Sequence, residues 1–146
     1  MIDSLEATLV LRARLLDTTG LPTLIGYDNV DVEPDVGQSY VTEQFVPATT
    51  SILTFPANGG QVEETGLYVV TWYGVAGRDV KAIREGTQAV LSMFAPGTAF
   101  TLTSGHLRIR ADFGPQAGQI RRIEGGWASC TITIPWLARS RNTVAA

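Results

Sequence analysis

Over residues 65–75 the chain reads Thr-Gly-Leu-Tyr-Val-Val-Thr-Trp-Tyr-Gly-Val, an extended, aromatic-rich run with apolar side chains at both alternating sets of positions. Successive side chains of a strand point to opposite sides of a sheet, so a run that is apolar on both sides is expected at the centre of a sheet. The chain then turns through Ala76 and Gly77 into a different period. Val80, Ile83, Thr87, Val90 and Phe94 recur by threes and fours, Leu91 and Met93 widen that stripe, and Arg78, Lys81, Arg84 and Glu85 lie opposite. This spacing predicts an amphipathic helix over 77–94, ended by Pro96-Gly97. Gly86 sits in its middle, where glycine costs about 1 kcal/mol of helix propensity; it marks either a close approach to another backbone or tolerated slack.

A second helix opens the chain. Asp3 is placed to cap it, Glu6 three residues later is placed to close a capping box, and Leu5, Leu9, Ala13 and Leu16 follow at helical spacing, with Ile2 and Leu15 beside them, as its expected core-facing stripe. Thr18-Thr19-Gly20 and Pro22 end it. Strands are expected over 23–27, 39–46, 98–103, 106–113 and 127–136. In the last of these Ala128, Cys130, Ile132, Ile134 and Trp136 form the apolar face. Residues 49–55 read as a strand continuation or an extended arm. The segments 28–37 and 114–126 read as loops, and 138–146 as a flexible tail. The order α-β-β-β-α-β-β-β defines a single α+β domain over 1–137, a mainly antiparallel sheet with two helices packed on one face.

Composition narrows the chemistry. The 146 residues carry a net charge of −3, so no global basic field exists to hold nucleic acid. Charged residues make up 17%, below the usual quarter. So low a charge density is expected where part of the surface is covered by other subunits. The one cysteine, Cys130, excludes an internal disulfide and a multi-cysteine zinc site, and the expected compartment is a reducing cytoplasm. No segment reads as a signal peptide or a membrane span.

No constellation for catalysis or for a cofactor emerges. His106 is the one imidazole. Ser104 and Asp112 lie near it in sequence, but nothing supplies the ordered base and oxyanion site that a triad needs. Cys130 lies on the apolar face of its strand, where a small buried residue is the natural role. Gly74 to Asp79 links strand to helix as phosphate-binding turns do, yet lacks the Lys-Ser/Thr ending of a P-loop. Asp28, Asp31, Glu33 and Asp35 crowd one loop without the order of an EF-hand, which predicts a solvated acidic segment rather than a calcium site. Arg108, Arg110, Arg121 and Arg122 could touch phosphates; pairing with acidic loops of the same or a neighbouring subunit fits the net acidity better.

Several of these residues together resemble the phage tail terminator-like proteins, the tail-completion family of long-tailed phages and gene transfer agents. They are Leu5 and Leu9 with Arg14-Leu15, Gly20-Leu21-Pro22, Asn29 with Pro34 and Tyr40, and Gly66-Leu67-Tyr68-Val69-Val70. Met93-Phe94 before Pro96-Gly97, and Trp127 with Pro135-Trp136, complete the set. The resemblance spans nearly the whole chain. It implies a structural virion protein rather than an enzyme, without cofactor or metal, made in the host cytoplasm and placed at the head-tail junction. Such proteins form a ring, usually of six subunits, on the last ring of the tail tube. They stop its polymerisation and present the docking surface for the head-closure or connector protein, while DNA passes through the lumen without sequence-specific binding. The expected partners are therefore other copies of the chain, the major tail tube protein and the connector. A neighbouring head-closure or tube-like component is the alternative, and a small hydrolase or ligand-binding module built on His106 a more distant one. Within this frame Ile52, Leu53 and Phe55 are expected to contact the tube or a neighbour. Arg121 and Arg122 are expected at a subunit interface or the lumen, facing Asp31, Glu33 or Asp35 of the next copy.

Overall fold

The computed structural model of the chain describes residues 2–52 and 60–141. Helix α1 spans Ser4–Leu16, and strands β1 (Leu24–Gly26), β2 (Tyr40–Ile52) and β3 (Gln61–Val75) follow. Helix α2 spans Val80–Met93, and strands β4 (Ala99–Thr101), β5 (His106–Ile109), β6 (Gln116–Ala117), β7 (Arg121–Ile123) and β8 (Trp127–Arg141) complete the domain. One mixed sheet runs β1-β2-β3-β8-β5-β4, with β6 and β7 also paired to β8. The β1–β2 pairing is parallel; β2–β3, β3–β8, β4–β5 and the pairings of β5, β6 and β7 with β8 are antiparallel.

The run that is apolar on both sides is central: β3 lies between β2 and β8 along its whole length. Its even-numbered residues from Val62 to Gly74 are buried, and its odd-numbered residues are half-buried, apart from the exposed Gln61. The buried side carries the core. Gly86 of α2 sits directly over Trp72, so that a Cβ there would lie 2.3 Å from the indole ring. The mid-helix glycine is thus a close approach, to an aromatic side chain rather than to a backbone. Phe94 tilts against Tyr68 at 5.8 Å between ring centroids, and Phe45 stacks on Trp136 at 5.1 Å. Just before α1, Ile2 donates its N–H to Glu64, and from α1 Arg12 reaches Glu43, whose cross-strand partner is Val70 on the same side of the sheet.

Several boundaries differ from those expected. Helix α2 starts at Val80, because Gly77 adopts a left-handed φ of +78° and Asp79 ties the turn together by accepting from Val75 N–H at 2.7 Å. The segment 114–126 is not a bare loop. It contributes β6, β7 and a 3-10 turn, Glu124–Gly126, because the outer edge of β8 presents backbone groups that need partners. Residues 49–52 continue β2, one of the two readings of that segment, with a bulge after Pro47, which has no N–H to give the ladder, whereas 61–64, which read as part of a loop over 56–64, begin β3. The expected tail at 138 starts too early, since β8 continues to Arg141 with Ala138 and Ser140 on the buried side; 142–146 lie outside the described residues.

The largest departure concerns α1. Its cap is as expected, with Asp3 Oδ1 accepting from Leu5 and Glu6 N–H. The reciprocal half of the capping box is absent. Asp3 N–H goes to Ser104 Oγ, and Glu6 instead accepts from the Ser104 N–H and Oγ and the Thr103 hydroxyl. The buried side is formed by Ala7, Thr8, Leu11 and Leu15, so the stripe expected to face the core points to solvent.

Candidate functional site: assembly surfaces

Three surfaces stand out from the residues upward. The first is the outward side of α1. Leu5, Leu9 and Leu16 are 65%, 48% and 46% exposed, and Ala13 is exposed between them. The three charged side chains of this helix are turned away from that stripe and bound within the domain. Glu6 holds the β4–β5 turn, Arg14 Nε donates to the Met93 carbonyl at 2.8 Å, and Arg12 meets Glu43 at 2.5 Å. The Glu43 side chain is fully buried and also accepts the Tyr68 hydroxyl. Burial above all, helped by Glu43, pushes the Tyr68 phenol far above its ordinary range. A surface helix normally shows the reverse arrangement, charges outward and leucines inward.

The second surface is the side of the sheet opposite the core. Cross-strand partners share a side, so its rows run Tyr40–Tyr73–Ser129, Thr42–Thr71–Thr131, Gln44–Val69–Thr133, Val46–Leu67–Pro135 and Thr49–Thr65–Leu137. No row carries a charge. Tyr40 and Tyr73 stack at 4.4 Å, with Trp127 edge-on to Tyr40, and Thr49 and Thr65 share a 2.6 Å hydroxyl contact. Charge returns only beyond these rows. Arg121 lies opposite Ser129 and Arg108 opposite Leu137, while Arg139 is paired to Glu63 at 3.1 Å.

The third is the acidic segment 28–37. Asp31, Glu33 and Asp35 are exposed, and among the described residues none of them forms an ion pair. Val30 and Val36 project beside them. The segment is anchored from outside by Arg78, whose guanidinium donates to the Gly37 carbonyl at 2.9 Å and holds Asp79. A cavity of about 500 Å³ separates Pro34 to Gly37 from Gly125, Gly126 and Trp127. The acidic segment therefore lies at the same end of the domain as the turn that follows β7. Arg121 and Arg122, on β7, are exposed, and among the described residues neither pairs with an acid. Arg78, which the sequence reading left as a helix-face charge, is the cation that touches this segment.

The remaining expected positions divide. Ile52 ends β2 opposite Val62, whereas Leu53 and Phe55 lie outside the described residues. His106 is exposed on β5. Ser104 is taken up by Asp3 and Glu6, and Asp112 is bound by Arg110, which draws its carboxyl down to about 2, so the three do not form a triad. Arg110 also covers the Phe113 ring at 4.1 Å. Cys130 is buried and donates to the Gly118 carbonyl; burial raises its thiol pKa, away from the reactive thiolate. A cleft of about 830 Å³ beside it is lined by Arg84, Thr87, Gln88 and Ile120.

The domain is a mixed α/β fold, a many-stranded sheet with two helices, and its distinctive features among the described residues are exposed, uncharged surfaces. The sequence matches the phage tail terminator protein family over residues 5–136, and the chain belongs to that family, a structural component of the virion tail. No curated protein matches it. One solved structure shares the fold at a TM-score of 0.67 and 15% identity, covering 93% of this chain and 94% of the other. A second similar chain, from the virion of a native gene transfer agent particle, is 22% identical at a TM-score of 0.45, covering 94% of this chain and 89% of that one.

Proposed function

We propose that the chain is the tail terminator of its virion, assembling with copies of itself into a ring, most simply of six, that caps the tail tube. In this reading the ring stops tube polymerisation and offers its other side to the head-closure or connector protein, and DNA passes through the lumen without sequence-specific contacts. The fold that serves it is a mainly antiparallel sheet with both helices on one side, leaving the other side open for neighbours. Membership of the terminator family carries the reading; a chain with two uncharged surfaces and a set of unpaired charges supports it. Ile52, Leu53 and Phe55 are assigned to contact with the tube or a neighbour. Arg121 and Arg122 of one copy face Asp31, Glu33 and Asp35 of the next, or the lumen.

The test is the particle mass of the purified chain together with class averages. A ring of about six copies is the expected result, and a monomer at every concentration would contradict it. Reversing Arg121 and Arg122 to glutamate should lower the ring fraction while the subunit keeps its melting temperature, because both side chains are exposed and carry no ion pair among the described residues.

A further inference from the structure

The outward leucines of α1 and the uncharged side of the sheet lie on opposite surfaces of the domain. One sits outside the helix layer and the other is the uncovered back of the sheet. We infer that they are the two halves of one interface: the α1 stripe of each copy docks on the open sheet side of the next. The inference deepens the ring reading and rests on it.

Size agrees. A helix of 13 residues is about 20 Å long and 10–12 Å wide. Five rows of alternate residues on three strands cover roughly 27 Å by 10 Å between Cα positions. Charge agrees as well. The stripe is uncharged and ends at two exposed acids, Asp3 and Asp17, about 21 Å apart along the axis. The three-strand rows are uncharged, and along the outer edge of β8 they are flanked by Arg121 and Arg108, whose partner residues are about 26 Å apart, with Arg110 beside Pro135 between them but neutralised by Asp112. Acids at the ends of a neutral ridge thus meet arginines along the edge of a neutral bed, a difference in span that long arginine side chains cover. In this docking Arg121 faces the neighbour's α1, and Arg122, on the other side of β7, is the arginine left for Asp31, Glu33 or Asp35. The internal capture of Glu6, Arg12 and Arg14 keeps their charges out of the contact, and so avoids the cost of desolvating them there.

Opposite placement also sets the symmetry. Two different surfaces on opposite sides of one subunit cannot satisfy each other in a two-fold dimer. They join head to tail, and a head-to-tail contact closes into a ring when the rotation between copies allows it. One contact type then serves every subunit of the ring.

Three variants test this, all in a Cys130→Ala background so that engineered thiols are the only ones. Leu9→Cys with Val69→Cys in the same chain, oxidised with copper phenanthroline, should give a ladder of covalent oligomers extending past the dimer. Leu9→Cys alone should give no covalent dimer. Leu9→Asp, at an exposed position, should leave the far-UV circular dichroism of the folded subunit unchanged and convert the ring to monomer. A Leu9→Asp protein that still forms rings, with no ladder from the double variant, overturns the docking and leaves the ring reading standing. Covalent dimers from Leu9→Cys alone would mean that the helices pair with each other, which also overturns it. A wild-type chain that is monomeric throughout removes the ring reading and the docking together.

Discussion

Gly86 shows how a single residue records a tertiary contact. Alanine is the better helix former by about 1 kcal/mol, so on propensity alone Gly86→Ala should stabilise α2. The added Cβ would sit 2.3 Å from the Trp72 ring, which is itself packed in the core. Overpacking of this kind costs about 1–3 kcal/mol, so the expected net result is a lowered melting temperature; a raised one would show that Trp72 can move aside. The sequence revealed the anomaly but left close approach and slack open, since Trp72 lies on a different element. Glu6 gives a second residue-scale expectation. Its carboxyl is held at about 2, against an ordinary 4.5, chiefly by the Thr103 hydroxyl with help from Ser104. Because the folded value is the lower one, this contribution is complete above about pH 4.5 and fades as pH falls towards 2. Glu6→Gln should therefore flatten the acid side of the stability profile between those two values in thermal melts. Equal acid slopes for variant and wild type would show that the link between α1 and the β4–β5 turn carries no weight.

Among the elements, the contrast between the two helices explains what was legible. In α2 one stripe is apolar and the other charged, so periodicity alone gave both the helix and its buried side, with Ile83, Thr87, Val90 and Phe94 inward. Phe94→Ala should cost about 3–5 kcal/mol, because the ring is fully buried against Tyr68; an unchanged melt would contradict that packing. In α1, apolar residues occur nearly all round the axis, and the choice of inward side falls to Glu6, Arg12 and Arg14. Their partners lie 31 to 98 residues away, at Glu43, Met93 and Ser104, where no local pattern can announce them. The stripe was visible in the sequence and its direction was not. The short strands β6 and β7 escaped for a related reason. Two or three residues carry no period, and they exist because β8 offers an edge. The continuation of β8 was legible: Leu137 to Arg141 keeps the alternation, and only the expectation of a frayed end hid it.

At the scale of the whole molecule, the low charge content, the outward leucines and the uncharged sheet rows are the features that the proposed ring would bury between subunits. Of the positions proposed from sequence, Asp31, Glu33 and Asp35 and the β7 arginines are exposed, and among the described residues none of them forms an ion pair. They could be selected from sequence because clustered charge is a local signal. The sheet rows could not, because Thr42, Thr71 and Thr131 become neighbours only through the register of three strands. The proposed role at the end of the tail tube is tested most directly by the length of tails on particles made without this chain. If the ring ends tube growth, electron micrographs of such particles should show overlong tails with a broad spread of lengths, restored to one length by the wild-type chain. Tails of normal, uniform length in its absence would contradict the account.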